Sequence, residues 1–252
     1  MPVAACAIIK DEYPHYLREW LEWHLPLFDR VVIYNNGSPK MEGVPEGTEG
    51  KLEIIHFPGK LRQYPSYNHM IRRGREFAWI FFLDGDEFIR EFNPRETGNR
   101  MSPNVGSVSL NWKTYDFCGL EKADSRRQSE KFLTPVPDSP CNLYVKSMVR
   151  PTAVQVWTNA HVPQLKKGFR MIHANGNPIS GAYVEPDFRF GYIDHYFTRS
   201  REEWESKCRR GKADLATPRK LNEFARVYPG TPFADWAEKR KCRNPLVPLP
   251  SS

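Results

Sequence analysis

Apolar and polar positions follow two alternating rhythms over the first ninety residues. Val3 to Ile9 is a continuous apolar run, which predicts a buried strand. Leu17, Trp20, Leu21, His24 and Leu25 then recur at spacings of three and four, the mark of an amphipathic helix. Pro14 sits at its expected start, with Asp11 and Glu12 just before it, where carboxylates favour a helix N-terminus. Val31-Val32-Ile33-Tyr34 predicts a second strand, closed by the turn signal Asn35-Asn36-Gly37-Ser38. Leu52 to Phe57 predicts a third strand. Tyr67, Met70, Ile71 and Phe77 line a second helix, and Ala78 to Leu83 is the fourth strand. Strands alternating with helices imply parallel pairing through right-handed crossovers, hence an α/β fold with a mostly parallel central sheet flanked by helices. Later apolar runs are shorter, at 105–110, 143–149, 153–157 and 169–172, and suggest a mixed sheet continuing into a less regular half. The stretch 199–226 reads as helical, with Trp204, Cys208, Leu215 and Phe224 as core contacts.

The fourth strand changes the picture, because Asp84-Gly85-Asp86-Glu87 follows it directly. Open α/β sheets bind ligands at such strand ends. Two carboxylates held together there repel each other unless a cation neutralises them, and a hard divalent ion carrying a phosphate suits the place. The competing reading of an Asp-X-Asp pair is a solvated turn. A calcium loop is disfavoured, since Phe88 and Ile89 stand where an oxygen ligand and a glycine belong.

Composition adds limits. The 252 residues can bury a full core. No run of about 18 apolar residues predicts a membrane-spanning helix, and Lys10-Asp11-Glu12 ends the first apolar stretch before it could form a leader. The five cysteines are widely spaced, with no Cys-X-X-Cys pair, so neither a zinc knuckle nor a disulfide framework is expected. A cytoplasmic protein, at most peripheral to a membrane, is the simplest reading. The net charge of +7 is concentrated late: Arg199 to Arg243 holds 13 Lys and Arg against 7 Asp and Glu. Such a segment can hold a diphosphate, a nucleic acid or an anionic membrane, or be merely a solvated face.

Several segments in order resemble glycosyltransferases of the family 2-like and family 92-like kind. They are Ile9-Lys10-Asp11-Glu12, Tyr16-Leu17-Arg18-Glu19-Trp20-Leu21-Glu22-Trp23-His24, Ile33-Tyr34-Asn35-Asn36-Gly37-Ser38, Asp84-Gly85-Asp86-Glu87-Phe88, Lys146 to Pro151, and His195-Tyr196-Phe197-Thr198-Arg199-Ser200 followed by Lys207 and Arg210-Gly211. The resemblance implies a GT-A fold in one catalytic domain over 1–243, with a nucleotide-binding half at 1–90, an acceptor-side half with basic helices at 91–243, and a tail at 244–252. It implies a nucleotide-sugar donor, UDP-linked by preference, Mn²⁺ or Mg²⁺, and a carbohydrate-containing acceptor, with no nucleic acid as partner. Asp11, Asn35 and Arg199 depart from the family's usual Asn, Asp and Lys. An amide at Asn35 can still pair with a uracil edge.

The resemblance assigns Asp84, Asp86 and His195 to the metal, Asp86 directly, with His161 and His173 as lesser candidates. Lys10, Glu12, Asn35, Gln63, Asn68, Asp84, Lys207 and Arg210 fall to the donor. Gln63 and Asn68 could equally serve the second helix, and Arg209 could equally be solvated. Lys207 and Arg210, three apart, share a helix face suited to a diphosphate. An inverting transfer also needs a base for the acceptor hydroxyl, and Asp116 and Glu130 are the candidates. A nucleotidyltransferase is disfavoured by the absence of glycine in Lys10-Asp11-Glu12-Tyr13. A non-catalytic basic module would explain the late charge but not the paired carboxylates.

Overall fold

The computed structural model describes residues 1–214, 219–221, 223 and 227. In chain order the elements are β1 (Val3–Ile9), α1 (Pro14–His24), β2 (Arg30–Asn35), β3 (Leu52–His56), α2 (Gln63–Arg73), β4 (Trp79–Leu83), β5 (Glu87–Arg90), α3 (Pro94–Arg100), β6 (Val105–Thr114), α4 (Gln128–Lys131), β7 (Val145–Val149), β8 (Val154–Val156), β9 (Gln164–Leu165), β10 (Arg170–His173), β11 (Pro178–Ile179), β12 (Tyr192–His195) and α5 (Arg201–Arg210). The expected α/β class is the one observed.

The main sheet runs β11-β10-β6-β7-β4-β1-β2-β3, with β12 joining β6 and β5. Its N-terminal part, β3-β2-β1-β4, is wholly parallel. Antiparallel β7 then bridges β4 to β6. The continuous apolar run of β1 is explained by cover on both sides. Val3, Ala5, Ala7 and Ile9 pack with Leu17, Trp20 and Leu21 of α1, while Ala4, Cys6 and Ile8 pack with Tyr67, Met70 and Ile71 of α2.

The strand order places a topological switch between β1 and β4. From β1 the chain moves outward to β2 and β3, then returns to the other side of β1 for β4. The crevice at the carboxyl ends of such a strand pair is where open α/β sheets bind ligands.

Local details differ from the sequence expectations. Helix α1 begins at Pro14, and Glu12 accepts from the amide of the N-cap residue Tyr13 at 3.3 Å while its carboxylate also pairs with Arg199 across the molecule. Phe77 lies beyond α2, whose last turn is closed by Gly74. Helix α5 ends at Gly211, where φ is +82°. Trp204 is buried in the core and Cys208 packs against it, whereas Leu215, Phe224 and the tail at 244–252 lie outside the described residues. Helix α3 carried no apolar pattern. It packs on β4 through Gly98, where a Cβ would stand 2.5 Å from the Trp79 ring. Cys118 is disulfide-bonded, whereas Cys6, Cys141 and Cys208 stand outside any disulfide, so cysteine usage does not support the cytoplasmic reading. Among the described residues, no helix is long and apolar enough to cross a membrane.

Candidate active site

A cleft of about 400 Å³ opens at the switch point, bounded by Ile8, Ile9 and Lys10 from the end of β1 and by Asp84, Gly85 and Asp86 from the end of β4. The turn between β4 and β5 is fixed from below: Trp20 of α1 donates its Nε1–H to the carbonyls of Asp84 (3.1 Å) and Glu87 (3.0 Å). Glu87 is fully buried, and its Oε2 accepts from the Asp84 amide at 2.9 Å. It is therefore an internal brace of the turn rather than a surface charge, and burial pushes its carboxyl up.

Each aspartate of the pair meets a different lysine. Asp84 Oδ2 accepts from Lys146 Nζ at 2.8 Å, and its Oδ1 accepts from Gln63 Nε2 at 3.1 Å. Lys146, on β7, is buried and also lies 3.5 Å from Glu87. Burial works against its charge, but Asp84 and Glu87 outweigh this and hold its pKa well above the usual amine value. Asp86 Oδ2 accepts from Lys207 Nζ of α5 at 2.6 Å, and Lys207 also donates to the Phe197 carbonyl at 2.7 Å. Burial opposes the charge of Asp86, yet Lys207 foremost outweighs it, so the carboxyl stays well below its ordinary range. Burial lowers Lys207 to about 8, so at neutral pH the two form an ammonium–carboxylate pair.

The second oxygen of Asp86 faces His195. The distance from Oδ1 to Nε2 is 3.8 Å. Burial brings the His195 pKa down to about 3 despite the neighbouring Asp86, which leaves a neutral imidazole. His195 reaches this position because β12 runs beside β5 in the register His195↔Glu87. The Tyr196 amide in turn donates to the Asp86 carbonyl at 3.0 Å.

The C-terminal half closes over this floor. Arg199 donates to Glu12 at 2.5 Å and to the Gly85 carbonyl at 3.4 Å, with its guanidinium 4.6 Å above the Tyr16 ring. Arg210 donates to the Lys10 carbonyl at 2.6 Å. The amide of Gln63 donates to the Ala213 carbonyl at 3.2 Å. Of the residues nominated from sequence, Lys10, Glu12, Gln63, Asp84, Asp86, His195, Lys207 and Arg210 all line the cleft, as does His161.

Others do not. Asn35 accepts from the Gly37 and Ser38 amides and donates to the Ser38 carbonyl, so it builds the turn after β2. Asn68 clamps Trp157 through both its main-chain N–H and its carbonyl. Glu130 caps α4 by accepting from the Arg127 amide at 3.2 Å. Asp116 is buried, and its Oδ1 accepts from the Cys118 amide at 3.0 Å. His173 is buried on β10, away from the cleft. The carboxylates lining the cleft beyond the β4 pair and Glu12 are Asp214 and Glu223. Lys146 carried a sequence signal, as the start of a resembling segment, but nothing local told that it points at Asp84. Trp112 and Tyr144 had no such signal.

Divalent ions such as Mg²⁺ are commonly held by one or two carboxylates completed by substrate phosphates, not by an all-protein cage. Asp86 Oδ1 and His195 Nε2 form a facing oxygen–nitrogen pair of that open kind. Among the described residues no group of three or more His, Cys, Asp or Glu forms a closed metal cage. The residues present thus fit an ion that arrives with a phosphate ligand.

No family model matches the chain. A glycosyltransferase family 92 protein of Arabidopsis thaliana is 25% identical over 190 residues, covering 66% of this chain and 32% of that protein. The chain thus spans about a third of the length of this curated relative. Among solved structures, the galactosyltransferase LgtC in complex with donor and acceptor sugar analogues is 13% identical, with a TM-score of 0.30 over 43% of this chain and 46% of that one. HddC from Yersinia pseudotuberculosis is 9% identical, with a TM-score of 0.43 over 83% of this chain and 99% of that one. At these TM-scores neither bears on the function.

Proposed function

We propose that this chain is a GT-A glycosyltransferase that takes a sugar from a nucleoside diphosphate donor, UDP-linked, and passes it to a carbohydrate-containing acceptor. The carrying observation is the Asp84–Asp86 pair at the end of β4, set in a cleft whose opposite wall presents Lys207 and Arg210. The similarity to a family 92 glycosyltransferase supports the same reading. In it, residues 1–90 form the donor half and the later residues the acceptor half.

Asp86 and His195 would hold a Mn²⁺ or Mg²⁺ ion together with the donor diphosphate. Such an ion supplies Lewis acidity that stabilises the departing nucleoside diphosphate. Lys207 and Arg210 add charge-assisted donors for the same phosphates. Lys146 neutralises Asp84, so this carboxylate can lie close to the donor without repelling it. Gln63 keeps Asp84 oriented. Two of the four basic residues of α5 thereby serve the cleft, since Lys207 faces Asp86 and Arg210 faces the Lys10 carbonyl, which favours a donor role for these two over nucleic-acid contact.

Thermal melting with UDP tests the reading. UDP with Mn²⁺ should raise the melting temperature, since ligand at a hundredfold excess over Kd stabilises the native state by about 2.7 kcal/mol. With EDTA the shift should vanish. An equal shift in EDTA would remove the metal. No shift with UDP or GDP, with or without Mn²⁺, would remove the donor site altogether.

A further inference from the structure

The two aspartates of the turn after β4 are not equivalent. Asp84 has both carboxylate oxygens occupied by the protein itself. Its Oδ2 accepts from Lys146 Nζ at 2.8 Å, and its Oδ1 accepts from Gln63 Nε2 at 3.1 Å and from the Tyr67 hydroxyl at 3.4 Å. Asp86 gives only Oδ2 to a donor, Lys207, while its Oδ1 faces His195 Nε2 at 3.8 Å.

The two lysines differ in the same way. Lys207 stands on α5 at the wall of the cleft, with 11% of its side chain exposed. Lys146 lies within β7, a strand flanked on both sides, by β4 and by β6. Its side chain is 1% exposed. Its Nζ lies 3.5 Å from Glu87 Oε1, and the other oxygen of Glu87 holds the Asp84 amide at 2.9 Å. Lys146, Glu87 and Asp84 thus close a loop of contacts beneath the turn. A buried ammonium stays with such carboxylates, because leaving them would strand its charge away from water.

A divalent ion that took Asp84 as a ligand would have to displace this ammonium or lie beside it. Displacement leaves Lys146 with Glu87 alone, and the other arrangement sets like charges together where water screens them poorly. Asp86 Oδ1 and His195 Nε2 are then the protein atoms that remain for the ion. So small a share from the protein makes the binding of an ion depend on the oxygens that arrive with it.

We propose that Lys146 is a positioning residue that withholds Asp84 from the ion, so that the cleft takes up a divalent cation together with a nucleoside diphosphate and holds the bare cation weakly. The proposal rests on the glycosyltransferase reading and adds to it a residue that acts through Asp84 and touches neither ion nor donor. It makes the lysine, rather than the paired aspartates, the reason that ion and donor depend on each other.

The test measures Mn²⁺ binding to the full chain, without any sugar, from the loss of the free ion's paramagnetic resonance signal. The wild type should bind Mn²⁺ at least about tenfold more tightly when UDP is present, the linkage expected of two ligands that meet in one site. Lys146→Met frees Asp84 and should bind the bare ion about tenfold more tightly than the wild type, within the range by which residues behind a metal ligand tune its affinity. Lys146→Gln, which keeps a hydrogen-bond donor beside Asp84 and removes the charge, should move the same way. Asp84→Asn added to Lys146→Met should cancel the gain. A lysine that serves folding alone predicts the opposite, a lower melting temperature with bare-ion affinity unchanged or reduced. The proposal is overturned if the Lys146 variants melt cooperatively yet hold bare Mn²⁺ no more tightly than the wild type. It is also overturned if the wild type binds UDP, by its melting shift, yet holds Mn²⁺ as tightly without it. This wild-type comparison needs no variant, so it decides even where a substitution unfolds the chain. Failure of the transferase reading has its own signature, a missing UDP–Mn²⁺ melting shift, and leaves the nucleotide-free comparison of the Lys146 variants intact.

Discussion

Asp86 is a carboxylate whose two oxygens have different neighbours, Lys207 at 2.6 Å on one side and neutral His195 at 3.8 Å on the other. The lysine keeps it ionised without closing the His195 side, so in the proposed reading one oxygen remains for an incoming ion. Asp86→Ala should therefore abolish the Mn²⁺-dependent UDP melting shift and transfer alike. Breaking a buried ion pair by removing one partner commonly costs about 3–5 kcal/mol. Here the expected loss is smaller, about 1–3 kcal/mol, because Lys207 already titrates near 8 and can shed its proton. The variant should thus still melt cooperatively, and the measurement is paired melts with and without UDP and Mn²⁺. A variant that keeps the metal-dependent shift would show that Asp86 does not hold the ion. The sequence disclosed this carboxylate because it directly follows a buried strand. It did not disclose Asp116 and Glu130 as local supports, since an acid that caps a turn and one that faces a cleft look alike along the chain.

Helix α1 carries the turn that presents the aspartates, through Trp20 to the Asp84 and Glu87 carbonyls and Trp23 to the Ile89 carbonyl at 2.8 Å. Its last residue, His24, is fully buried between Trp20, Phe28 and Phe88. Its Nδ1 bonds the Trp20 carbonyl at 2.8 Å, and burial lowers its pKa to about 3. The unfolded chain, with an ordinary imidazole, takes up a proton near pH 6.5 that the folded chain refuses until about 3. Stability from this residue is therefore full above pH 6.5 and lost as the pH falls toward 3. Between pH 7 and 5 the loss should be about 2 kcal/mol. In denaturant titrations at the two pH values, His24→Leu should lose about that much less than the wild type, and parallel losses would refute the buried neutral imidazole. Elements of this kind were legible because α1, β1, β2, β3, α2 and β4 each write their periodicity in one contiguous stretch. Strand β12 was not, because its place between β5 and β6 depends on pairing partners about 80 to 105 residues away. A separation of 62 residues likewise hid Lys146 from Asp84, since a lysine within an apolar strand names no partner.

Across the whole molecule, the two ends of the described chain are joined at the cleft by Glu12 and Arg199, 187 residues apart. The Arg199 side chain is buried and that of Glu12 is 9% exposed at the cleft, and Asp11 and Arg199 hold left-handed φ values of +48° and +58° beside the contact. Non-glycine residues take such angles at a cost that surrounding contacts must offset. The pair also reaches the aspartate turn, because Arg199 donates to the carbonyl of Gly85, between the two aspartates. Arg199→Met alone leaves the Glu12 carboxylate without its partner and should cost about 3–5 kcal/mol, whereas Glu12→Leu should cost less, because the guanidinium keeps the Gly85 carbonyl and the nearby Asp86 and Glu203 charges. The double variant removes both charges together and should cost less than the sum of the singles by about 1–3 kcal/mol. A double-mutant cycle from urea denaturation gives this coupling directly. Arg199→Met should also weaken the UDP–Mn²⁺ melting shift, since the Gly85 carbonyl loses its tether, while a control at the exposed Arg100 should change neither quantity. Strictly additive costs, or an undiminished nucleotide shift in Arg199→Met, would mean that the two halves close over the cleft without this tie and that the aspartate turn is held by α1 alone.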